Sequence, residues 1–192
     1  MTTCNIIVAD TGPLKTLAYA DSLELLLTPG IPVYVTDMVI EELKNGSEFI
    51  GNVKALMFIK AHLDKEILAI KTDVPQSAAI MRSINVDPGD ESIRRVIKTY
   101  YESSDDNEYA LLVSEDRAFM LSADKSGSTY LMTTRPFLLE LESRGHITDA
   151  EGLMIKSETN AIAAGEGTGR GQLNRKKEVN RPPARNKTVK PF

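Results

Sequence analysis

The chain has 192 residues, 42% of them hydrophobic, and a formal net charge of −4. That length suits one ordinary domain with a short extension, and no apolar run approaches the roughly 18 residues a membrane span needs. The opening segment lacks the basic start and long apolar stretch of a secretion signal. A lone cysteine, Cys4, excludes an internal disulfide and fits a reducing compartment, so a cytoplasmic location is expected.

Asn5 to Ala9 reads as a buried strand, followed by Asp10 and a Thr11-Gly12-Pro13 turn. Proline suits the first turn of a helix, where its missing N–H leaves nothing unpaired. Leu14, Leu17 and Ala18 follow at helical spacing, and Leu23, Leu26 and Leu27 continue the pattern. Val33 to Val35 is a second short strand. Thr36 or Asp37 is placed to cap a helix through Val39, Ile40 and Leu43 that stops near Asn45-Gly46. An amphipathic helix is predicted from Val53 to Leu63, an extended piece from Ile67 to Lys71, and a helix from Ala78 to Ile84. After the Asp87-Pro88-Gly89 turn, Asp90 opens a helix with Ile93, Val96, Ile97 and Tyr100 on one face.

Ser103 to Glu108 is a polar loop, and Tyr109 to Val113 is the clearest central strand. A helix through Phe119 and Leu121, a strand from Thr129 to Met132, and a helix from Arg135 to Glu142 complete the alternation. One last helical stretch lies between Ile147 and Ile162. Strands alternating with helices predict an α/β fold, a parallel sheet of about five strands flanked by helices.

The pattern stops near Ala164, which sets the expected boundaries: a folded domain over 1–164 and a disordered basic tail over 165–192. The tail carries eight Lys or Arg against Glu166 and Glu178, a net +6, which leaves about −10 on the body. An acidic body repels phosphates unless bound cations neutralise part of it. The alternating glycines from Gly165 to Gly171 follow no strand and are not a phosphate loop. The tail itself reads equally as an RNA-binding arm and as a solvated terminus.

Ligands of open α/β sheets bind at the carboxyl ends of the strands. Asp10 ends the first strand, Asp116 lies just past the central one, and Glu42 is on the helix leaving the second. Asp90 joins them only through tertiary structure. At 100° per residue, Glu42 lies about 110° from the centre of its helix's apolar face and Glu41 about 150°. Asp90 projects near the edge of its own apolar face and Glu91 points further out, whereas Glu115 and Asp116 share a turn and are not separated this way. Taken singly, Asp10, Asp90 and Asp116 are better explained as helix N-caps, and Glu42 as a solvated helix residue. As a set they form a hard oxygen-donor cluster suited to Mg²⁺ or Mn²⁺. His62 and His146 lie far apart with no ligand spacing, and Tyr100 and Tyr101 follow a helix face as core residues do.

Four segments carry a resemblance to a known family. Ile7-Val8-Ala9-Asp10-Thr11-Gly12-Pro13-Leu14 resembles the first motif of PIN domains, and Val39-Ile40-Glu41-Glu42-Leu43 the second. Asp87-Pro88-Gly89-Asp90-Glu91-Ser92-Ile93 is similar to the third, and Leu112-Val113-Ser114-Glu115-Asp116-Arg117 to the fourth. The resemblance spans roughly Asn5 to Ile147, and a later stretch through Gly145-His146-Ile147 is similar to a subgroup related to bacterial toxin nucleases. It implies a three-layer fold, bound Mg²⁺ or Mn²⁺, and cleavage of single-stranded or structured RNA. Asp10, Glu42, Asp90 and Asp116 would then be metal ligands and catalytic groups, with Thr11 and Ser114 orienting water or ligands. The resemblance also implies the toxin of a toxin–antitoxin pair of VapC type, held by an antitoxin protein, and often a homodimer.

This sequence departs from the family pattern at Asp90, where Glu is frequent, and in its basic tail. A PIN-like fold that binds RNA or protein without cutting is the alternative reading. A receiver-type phosphotransfer domain also has an acidic pocket, but it needs a lysine at a later strand end, and none stands there.

Overall fold

Ile6, Ile7, Val8 and Ala9 are all buried. Successive strand residues point to opposite faces, so this strand is covered on both sides. The computed structural model describes residues 3–104, 108–123 and 129–166. In it the strands are β1 (Thr3–Ala9), β2 (Val33–Thr36), β3 (Ile67–Ile70), β4 (Glu108–Val113) and β5 (Thr129–Met132). They form one sheet in the order β3-β2-β1-β4-β5, and every pairing is parallel. The predicted five-stranded parallel sheet is therefore the observed one. The tail from residue 167 onward lies outside the described residues, as do 105–107 of the polar loop.

The helices are α1 (Thr11–Tyr19), α2 (Asp37–Asn45), α3 (Ile50–His62), α4 (Ala78–Ser83), α5 (Pro88–Ser103), α6 (Arg117–Ala123), α7 (Thr134–Ser143) and α8 (Ala150–Ala163). α1 packs with α3, α7 and α8, whereas α5 packs on β2 and β4. Arg94 of α5 reaches α6 through Ser122 and the Phe119 ring. One core joins Val8, Leu14, Leu43, Ile93, Leu112 and Leu138, with Tyr100 and Tyr101 partly buried against it. Among the described residues no helix is long and apolar enough to cross a membrane.

Two elements differ from the sequence reading. The first helix stops at Tyr19, because Asp21 adopts a left-handed φ of 53°. Leu23 to Leu27 then form a separate 3₁₀ turn. α5 begins at Pro88 with Asp87 as its cap, accepting from Gly89 N–H at 2.7 Å and Asp90 N–H at 3.3 Å. Asp90 is thus inside the first turn and is not the cap. An Asp-Pro pair at cap and first position is the ordinary arrangement.

Candidate functional site

In a parallel sheet all carboxyl ends share one edge, and the chain reverses its direction of strand addition between β1 and β4. Such a switch point leaves a crevice beyond the strand ends. Here it is a cavity of about 350 Å³ whose wall includes Asp10, Glu42, Asp87, Asp90, Glu115 and Asp116. The four carboxylates chosen from sequence therefore line one cavity, and Asp87 and Glu115 join them.

Asp10 follows β1 and caps α1, accepting from Thr11 N–H at 2.7 Å. Its second oxygen accepts from the Ser114 hydroxyl at 2.8 Å. Ser114 is fully buried after β4, and its Oγ also accepts from Asp116 N–H at 3.1 Å. One hydroxyl thus ties the ends of β1 and β4 together. Asp116 caps α6 through Phe119 N–H at 2.9 Å. Its neighbour Glu115 turns the other way and accepts from Thr134 N–H at 3.2 Å, at the start of α7. Gly12 is required by this crossing, because a Cβ there would lie 2.9 Å from Glu115 Cγ.

Glu42 accepts from the buried Thr11 hydroxyl at 2.8 Å, while Glu41 pairs outward with Arg82. Likewise Asp90 lines the cavity, while Glu91 pairs with Arg94 and Arg95. The helix-face reading thus separates both neighbours in the observed sense.

A buried relay fixes the two helices against each other. Thr36 Oγ1 accepts from Val39 N–H at 3.2 Å and caps α2. It lies 2.7 Å from Ser92 Oγ, which donates to Gly89 O at 2.7 Å. With the Ser92 proton so committed, Thr36 is the donor between the two hydroxyls.

Burial, opposed by the Ser114 and Thr11 hydrogen bonds and reinforced by Glu42 and Asp87, pushes the Asp10 carboxyl up to about 6. Burial, then the charges of Asp87 and Asp10, pushes Asp90 up to about 7, with Arg94 opposing. Clustered carboxylates behave this way when no cation offsets them. Every acidic donor on the wall is a hard oxygen, the chemistry preferred by Mg²⁺ and Mn²⁺. Among the described residues, no group of three or more Asp, Glu, His or Cys is arranged to hold a metal ion by itself. Magnesium usually keeps several of its waters and touches one or two carboxylates.

Of the residues on this wall, Asp87, Glu115, Lys15 and Glu166 were not selected from sequence. The Asp-Pro-Gly pattern signalled a cap at Asp87, and the shared turn left Glu115 undecided. Glu166 was assigned to the tail, yet it lines the cavity. His62 pairs with Glu24 and Glu66 away from the site. Neither the models of known protein families nor the curated proteins yield a match to this chain.

Proposed function

We propose that the chain is a Mg²⁺- or Mn²⁺-dependent endoribonuclease of PIN type that hydrolyses phosphodiester bonds of single-stranded RNA. The observation that carries this reading is the crevice at the β1/β4 switch point, where Asp10, Glu42, Asp90 and Asp116 line one cavity. The order of the four sequence motifs that contain these carboxylates also supports it. Asp10, Glu42, Asp90 and Asp116 would hold the ion directly or through water. A bound ion supplies an activated water and neutralises charge on the departing oxygen. The residues of the chain supply position: Ser114 orients Asp10 and Thr11 orients Glu42. The assignments as the cytoplasmic toxin of a toxin–antitoxin pair, with an antitoxin partner and a homodimer, rest on the resemblance alone.

The test is Mn²⁺-dependent cleavage of a single-stranded RNA by Asp10→Ala and Asp116→Ala, with circular dichroism to check folding. Loss of cleavage in both folded variants is expected. Undiminished cleavage by both would overturn the mechanism. A PIN-like binding module that does not cut is the second reading, motivated by the acidic body and by Asp90 standing where the family pattern often has Glu. Calorimetric titration with Mn²⁺ separates them, since a module without metal sites gives no heat above buffer.

A further inference from the structure

Among the described residues, Lys15 is the single Lys or Arg on the cavity wall. It stands four residues after Thr11 and four before Tyr19, so all three share one stripe of α1. Its Nζ lies over the Phe49 ring, 5.8 Å from the centroid, at the edge of the cavity that Lys15 lines. There it pairs with Glu166 Oε1. Tyr19 donates its hydroxyl to Glu166 Oε2 at 2.6 Å. The Tyr19 side chain has little freedom. It is 3% exposed, and a Cβ on Gly51 would come within 2.6 Å of its ring.

Glu166 reaches this position through a built turn. α8 ends at Ala163 with Ala164 as its C-cap, and Gly165 then takes φ 78°, with Gly165 N–H on Ile162 O at 3.0 Å and Glu166 N–H on Ala161 O at 2.9 Å. This is the paired closure of a glycine-terminated helix. Asn160 Nδ2 donates to Tyr19 O at 2.7 Å and holds the helix end to α1. A carboxylate is therefore delivered into a seat of one ammonium and one phenolic hydroxyl, on a wall whose other charged groups among the described residues are acidic.

We propose that Lys15 and Tyr19 form the seat for a backbone phosphate of the bound polyanion, and that Glu166 fills it in the free protein as an internal stand-in. The identity of the polyanion as RNA rests on the nuclease reading; the seat rests on the geometry of Lys15, Tyr19 and Glu166. Phosphate oxygens accept from the same charged and hydroxyl donors as a carboxylate. Elsewhere the wall repels phosphate, so this seat fixes where a strand enters. Phosphate binding displaces Glu166, the residue at which the 167–192 segment begins.

The test uses the full chain and a fluorescein-labelled 2′-O-methyl decauridine in EDTA, where metal-dependent cutting is off, read by anisotropy. Wild type is compared with Glu166→Gln, with Lys15→Met, which keeps an unbranched side chain without the charge, and with the double variant. Glu166→Gln is expected to bind about threefold tighter and Lys15→Met about threefold weaker, the range of a partly exposed ion pair. The double variant should match Lys15→Met. The slope of log affinity against log salt should fall by about 0.7 when Lys15 is lost. Unchanged binding by Glu166→Gln, an equal gain in the double variant, or no binding by any protein overturns the seat. Cleavage of unmodified RNA in Mn²⁺ is scored separately: the predicted affinities without cleavage uphold the seat and sink the nuclease, and cleavage without them does the reverse.

Discussion

Replacing Asp10 by Asn should make the metal-free protein more stable and the loaded protein inactive. The carboxyl titrates near 6 in the fold against an ordinary value of 3.8, mainly through burial. Because the folded value is raised, its stabilising contribution is complete below about pH 4 and is lost as pH rises through 6. Each pH unit of displacement corresponds to about 1.4 kcal/mol, so ionised Asp10, raised from 3.8 to about 6, costs the fold about 3 kcal/mol at pH 7.5. The amide keeps the shape but weakens the pairing with Thr11 N–H and Ser114, which offsets about 1 kcal/mol of the gain. A net gain of about 2 kcal/mol corresponds to roughly 6 °C in Tm for a chain of this size. Urea and thermal unfolding in EDTA at pH 7.5 and pH 4 measure it, and the gain should vanish at pH 4. Added Mn²⁺ should raise the Tm of wild type at pH 7.5 and leave Asp10→Asn unmoved. Equal destabilisation of the variant at both pH values would refute the reasoning, as would a wild-type-sized response to Mn²⁺.

Gly12→Ala should cost about 1–3 kcal/mol by overpacking against Glu115, and Glu115→Ala in the same chain should recover most of it; urea midpoints of the two single variants and the double decide. Thr36→Val removes the α2 cap and leaves Ser92 without a hydroxyl partner, so about 1–2 kcal/mol of stability should be lost. Since the relay sets α2 against the start of α5, Mn²⁺ affinity by calorimetry should also fall in that variant, whereas the distant surface change Arg144→Ala should leave it unaltered.

The sheet was legible because each strand is a short apolar run bounded by turn chemistry, and alternation with helices leaves few topologies. Periodicity also set Glu42 apart from Glu41 and Asp90 from Glu91, because azimuth on a helix is a local property. It carried no information on what faces the helix. Lys15 and Tyr19 sit on an identifiable stripe of α1, but nothing local says that the end of α8 closes over them. The boundary at Ala164 came from the point where apolar periodicity ends, yet helix closure needs the glycine and the residue after it. Glu166 is therefore structurally the last residue of α8's cap and chemically part of the cavity. The α1 boundary failed for a related reason: leucines at Leu23, Leu26 and Leu27 keep the helical period, while Asp21 interrupts the backbone that would carry it.

The strand order has a consequence for a chain still being made. β1 is completed first, yet its central neighbour β4 is formed only after residue 108. Until then one side of β1 has no strand to pair with, and Asp10 lacks both Ser114 and the loop bearing Asp116. The acidic positions belong to four separated segments, so no shorter stretch assembles their shared field. If the chain cuts RNA, a ribosome making it handles an inert polypeptide until more than half is finished, and the messenger being read is spared by topology.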